Sequence, residues 1–75
     1  LKDIQFNLIF LDPPYANKEV YGEVINYLIS NNMLKKECAI ILEHRGEISF
    51  DESPFLNIRK YNYGASDVTI LRGLK

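Results

Sequence analysis

Asp12-Pro13-Pro14-Tyr15 follows directly on the apolar run Leu8-Ile9-Phe10-Leu11. An unbroken apolar run of this kind predicts a strand buried on both faces, as in a parallel sheet. The four residues after it then form a stiff turn at the strand's carboxyl end, where open α/β sheets place their ligands. Proline fixes its own φ and pushes the residue before it toward extended geometry, so Asp12 and Pro13 are both constrained. The Asp12 carboxylate and the Pro13 carbonyl can be held as two converging acceptors with the flat ring of Tyr15 beside them. Such an arrangement suits an aminated planar ring. Asp and Pro are also common turn residues, and either alone would mean only a turn; the whole tetrapeptide behind a buried strand is the more specific signal.

The exocyclic nitrogen of a nucleobase is a poor nucleophile, because its lone pair is delocalised into the ring. To attack a methyl carried on a sulfonium it must move toward tetrahedral geometry and shed a proton. Two acceptors on its two N–H bonds favour that form and aim the lone pair at the methyl. An ionised Asp and a proline carbonyl only accept, so neither competes as a donor. Tyr15 would stack on a base taken out of its helix, a contact worth about 1–3 kcal/mol. This chemistry needs no metal.

Glu43, His44 and Arg45 follow a second apolar run, Cys38 to Leu42, and are expected on the same rim as Asp12. His titrates near neutrality and could hold phosphate or assist proton removal, although a lone His at a strand end is more often a polar surface residue. Arg45, Arg59 and Lys60 could meet a nucleic-acid backbone, and scattered basic residues also serve solubility. Tyr61 and Tyr63 alternate onto one face and are expected to pack. Tyr21 and Tyr27, at helical spacing, are expected in the core.

The elements that must position these residues follow from pattern. After the turn, Asn17 is the expected N-cap of an amphipathic helix in which Val20, Tyr21, Val24, Tyr27 and Leu28 share a face, widened by Ile25 and Ile29. Gly22 costs about 1 kcal/mol there relative to Ala and suggests close approach to a strand. Ser30-Asn31-Asn32 end the helix, and Met33 to Glu37 lead into the strand at Cys38. Strand, helix, strand with this crossover is a right-handed βαβ unit. Residues 47–55 read as a loop in which Ile48 and Phe50 could add a short strand. Leu56 to Tyr63 and Asp67 to Leu71 are strands of a hairpin turning at Gly64-Ala65-Ser66, where Gly64 supplies the required φ.

Length and composition bound the rest. A chain of 75 residues makes one small domain and buries roughly 60–65% of its unfolded surface. The net charge of −1 leaves no global basic field, so contact with nucleic acid must come from local Lys and Arg. Cys38 is the single cysteine and cannot form an internal disulfide; it is expected to be a small buried hydrophobe in a reducing cytoplasm. No stretch is long enough to span a membrane. The chain opens a few residues before a strand without an initiating Met, as a fragment would.

Phe6 through Tyr15 looks like the fourth strand and catalytic loop of class I methyltransferases that use S-adenosylmethionine. With Ile41-Leu42-Glu43-His44 and Arg59-Lys60-Tyr61-Asn62-Tyr63-Gly64, the chain is similar to the bacterial RsmD-like family, which methylates a guanine N2 amino group in small-subunit ribosomal RNA. The resemblance covers essentially the whole chain and matches the C-terminal half of that family. It implies an α/β fold, the C-terminal half of a Rossmann-like sheet, with β-α-β followed by a β-hairpin and residues 1–75 forming a partial methyltransferase domain. It implies that Asp12 and Pro13 contact the target amino group, that Pro14 stiffens the loop and that Tyr15 stacks on the base. The partner would be ribosomal RNA or a small-subunit assembly intermediate in the cytoplasm. The family's glycine-rich loop and ribose-binding acid have no counterpart in this sequence, so S-adenosylmethionine would be held by the full-length parent and this chain alone would be inert.

Three rivals remain at this level. A DNA adenine-N6 methyltransferase faces the same problem with the same loop. A release-factor glutamine methyltransferase usually carries Asn in place of Asp12. A non-enzymatic α/β module would use the free edge of the first strand to recruit a partner, and that edge could equally drive self-association.

Overall fold

The computed structural model describes residues 4–12 and 18–75. Its elements are β1 (Phe6–Leu11), α1 (Glu19–Ser30), β2 (Leu34–His44), β3 (Phe55–Tyr63) and β4 (Ser66–Leu74). The strands form one mixed sheet in the order β1-β2-β4-β3. β1 runs parallel to β2, whereas β4 is antiparallel to both β2 and β3. The α/β class and the β-α-β plus hairpin order are as expected from sequence. Among the described residues no helix is long and apolar enough to cross a membrane.

One face of the sheet carries the core. Cys38, Ile40 and Leu42 of β2 and Leu71 of β4 bury their side chains with Tyr21, Ile25 and Leu28 of α1. These helix positions are spaced i, i+4 and i+7, and so lie on one stripe. The stripe centres on Ile25, which the sequence placed at its margin, and Tyr27 falls outside it with 62% of its surface exposed. Tyr27 is therefore not a core residue.

Both ends of α1 depart from simple capping. Asn17 lies outside the described residues; Lys18 occupies the N-cap position and makes no side-chain capping bond. At the other end Asn32 takes a left-handed φ of 54°. Its N–H donates to the Ile29 carbonyl, and the Met33 N–H donates to the Leu28 carbonyl. This is a Schellman motif, closed by the apolar pair Met33 and Leu28. The Met33 carbonyl accepts from the Phe6 N–H at 2.7 Å, so the helix stop also starts the pairing of β1 with β2. The strand after it begins at Leu34, earlier than the apolar run suggested, because Leu34 already pairs with Phe6; the register then shifts before Leu8 meets Ala39.

Gly22 does meet a close neighbour, but that neighbour is a loop. A β-carbon there would stand 3.0 Å from the Ser49 carbonyl oxygen. The segment containing Ile48 and Phe50 forms no strand; both side chains pack half-buried against the core. The hairpin turn is shorter than expected, since Tyr63 pairs with Ser66 and leaves Gly64 and Ala65 as its two central residues. Gly64 has φ of 64° and Ala65 is not left-handed, the pattern of a type II′ turn.

β1 departs most from its sequence pattern. It is an edge strand, with Ile9 and Leu11 packed toward the core. Leu8 and Phe10 point the other way and are 62% and 60% exposed. Its run is thus covered on one face only.

Candidate active site at the carboxyl ends of β1 and β2

Parallel pairing carries Asp12 and Glu43 to neighbouring strand ends, because Leu11 pairs with Leu42 immediately before them. Asp12 is exposed there. Pro13, Pro14 and Tyr15, expected to complete the acceptor pair and stacking face, lie outside the described residues.

Tyr21 of the first helical turns is the buried residue beneath this rim. Its hydroxyl donates to the Glu43 carbonyl, tying α1 to the end of β2. Burial pushes the phenol pKa above its ordinary value, and the negative charges of Asp12 and then Glu43 push it further in the same direction. Both carboxylates therefore act on one hydroxyl, which stays protonated and fixed as a donor.

His44 and Glu43 share the rim but not a side of it. Successive strand residues alternate faces, and His44 turns toward α1, its ring edge-on to Tyr21 at 5.9 Å. Its Nδ1 lies 2.7 Å from the Gly46 carbonyl oxygen, and a carbonyl can only accept, so Nδ1 carries the proton. In the neutral ring Nε2 then accepts from the Thr69 hydroxyl at 2.8 Å. Thr69 is buried, and this bond satisfies its polar atom. With both nitrogens engaged, His44 serves as a bracket between β2 and β4. Arg45 is exposed just beyond it.

Asp67 completes the bracket, although its position along the chain marks only a strand start. One carboxylate oxygen accepts from the Asn62 amide and the other from the Gly46 N–H, both at 2.8 Å. The Asn62 bond, followed by the Gly46 bond, lowers its pKa, with smaller contributions from His44 and Lys18. Asp67 pairs across the ladders with both His44 and Asn62, and its side chain ties β3 and β4 to the turn after β2. A cavity of about 520 Å³ opens beside this network, with Ile48, Phe50 and Lys60 in its walls. The bonds that carry Tyr21 and Asp67 to the end of β2 left no local signal: Glu43 and Gly46 are 22 and 21 residues away in sequence.

A family model described as "Conserved hypothetical protein 95" matches residues 1–72. The chain belongs to that family. It is 38% identical over 68 residues to an uncharacterized methylase of Rickettsia prowazekii (strain Madrid E), a match covering 89% of this chain and 28% of that protein. It superposes with a TM-score of 0.77 and 30% identity on the structure of a conserved hypothetical protein of Streptococcus pyogenes, over 93% of this chain and 44% of that one. This chain thus spans less than half the length of either relative.

Proposed function

We propose that this chain is the acceptor-binding half of an S-adenosylmethionine-dependent methyltransferase that modifies the N2 amino group of a guanine in small-subunit ribosomal RNA. The observation that carries the reading is Asp12, exposed at the carboxyl end of β1 and opening an Asp-Pro-Pro-Tyr segment, in a chain 38% identical to an uncharacterized methylase. Its position matches the rule that ligands of open α/β sheets sit beyond the carboxyl ends of the strands.

In this mechanism Asp12 accepts from one N–H of the guanine amino group and the Pro13 carbonyl accepts from the other. The nitrogen pyramidalises and presents its lone pair, while Tyr15 stacks on the extruded base. Tyr21 and the end of β2 hold the floor of the site in place. S-adenosylmethionine supplies the electrophilic methyl on its sulfonium. The residues described here do not fit the methionine and ribose ends of that donor. Gly22 is inside a helix, Gly46 follows β2, Gly64 makes the hairpin turn and Gly73 is in β4, so no glycine opens a strand-to-helix turn of the kind that cradles such a ligand. Among the described residues, the contribution is to the acceptor base.

Asp12→Ala in the full-length protein tests the assignment. Methyl transfer to unmethylated small ribosomal subunits should fall by at least about a hundred-fold, the scale of losing one preorganised polar contact to the reacting group, while binding of the methyl donor is spared. Retained turnover would refute the role. Transfer to adenine in duplex DNA, with none to subunits or naked ribosomal RNA, would instead establish the DNA rival.

A further inference from the structure

The sheet face turned away from α1 carries a second group of side chains that the acceptor site does not use. Alternation along β3 puts Asn57, Arg59, Tyr61 and Tyr63 on that face, and their pairing partners on β4 put Arg72, Ile70 and Val68 beside them. Tyr61 and Tyr63 were expected to pack, yet they are 39% and 65% exposed. Their rings stack on each other at 6.3 Å with 25° between planes, so two aromatic faces stand together in solvent. Beside them Asn57, Arg59, Ile70 and Arg72 line a shallow hollow of about 450 Å³ with Tyr61.

Charge on this face is one-sided. Neither β3 nor β4 places a carboxylate among these residues, and the nearest one by register is Glu43, opposite Val68 on β2. Among the described residues the ion pair of β3 is Lys60 with Glu52, at 3.7 Å; neither Arg59 nor Arg72 is paired. Two unneutralised guanidiniums beside an exposed aromatic ledge match the two parts of a polynucleotide. Guanidiniums bind phosphate, and rings stack on bases without regard to sequence.

We propose that this face of the β3–β4 hairpin binds single-stranded nucleic acid, with Arg59 and Arg72 on the phosphates and Tyr61 and Tyr63 under the bases. The site would hold the strand flanking the modified nucleotide, on the opposite side of the sheet from the His44 bracket. The proposal rests on the nucleic-acid part of the proposed function and is independent of methyl transfer, so the Asp12→Ala assay and the binding assay can fail separately.

The test is fluorescence anisotropy of a labelled mixed-sequence oligoribonucleotide with the full-length protein at stepped salt. Replacing both Arg59 and Arg72 by Ala should weaken binding and lower the slope of log affinity against log salt by about 1.4, at roughly 0.7 per lost phosphate contact. Replacing them by Lys should restore most of that slope. Tyr61→Leu and Tyr63→Leu should each weaken binding about five-fold or more with the slope unchanged, whereas Tyr→Phe at the same positions should keep it. No binding by the wild type, or binding indifferent to all four positions, overturns the proposal. So does protection of both tyrosines from nitration in the free full-length protein, which would mean that another protein segment already covers the face.

Discussion

Thr69 shows how little freedom a single buried polar atom has. Its hydroxyl reaches Nε2 of His44 from a nearly solvent-free position, and removing it strands a ring nitrogen. Thr69→Val should therefore cost about 1–3 kcal/mol in urea unfolding despite its matched shape. Asp67 contributes differently. Its pKa lies below the ordinary 3.8 in the folded protein, so its contribution is fully present above that value and is lost as pH falls through the lower, folded one. The stability gap between the wild type and Asp67→Ala, measured by thermal unfolding, should be widest near neutrality. It should shrink from about pH 4 downward, where the unfolded carboxylate begins to bind its proton. A gap that widens in acid would contradict the assignment.

At the scale of elements, the stop of α1 determines how β1 and β2 meet. Asn32 holds a left-handed backbone, and the Schellman bonds around it hand the chain to the Met33 carbonyl that receives Phe6. Asn tolerates that conformation and a β-branched residue does not. Asn32→Val should lower stability by about 1–2 kcal/mol, and Asn32→Gly should be neutral or stabilising, both read from denaturation midpoints. The helix boundary was legible from Ser30-Asn31-Asn32 because these residues favour such ends. The start of β2 was not, since Lys35 and Lys36 are polar and the pair that opens the strand, Leu34 with Phe6, joins residues far apart in the chain. Ile25 became the centre of the buried stripe for a similar reason. Several nearby faces of α1 are apolar enough to bury, and the angle at which the sheet receives the helix selects one.

For the molecule as a whole, the uncovered side of β1 is the main consequence. Leu8 and Phe10 stand exposed on an edge strand with unpaired backbone, a combination that invites pairing with another chain. We propose that the isolated chain self-associates through this edge. Sedimentation velocity should show oligomers that grow with concentration, and the pair Leu8→Lys and Phe10→Lys should return the chain to a monomer. A wild-type monomer at high concentration would contradict this.

Near neighbours along the chain set the apolar strands, the amphipathic helix and its asparagine stop, and the glycine at the hairpin turn, and they made the Asp-Pro-Pro-Tyr segment recognisable. Pairing across the sheet set the rest. It made His44 a bracket with both nitrogens engaged, brought Asp67 and Tyr21 to the carboxyl end of β2, and turned Tyr61, Tyr63, Arg59 and Arg72 to an open face. Local propensity acts over a few residues, whereas hydrogen bonds and burial between residues about twenty positions apart exist only once the ladder register brings them together.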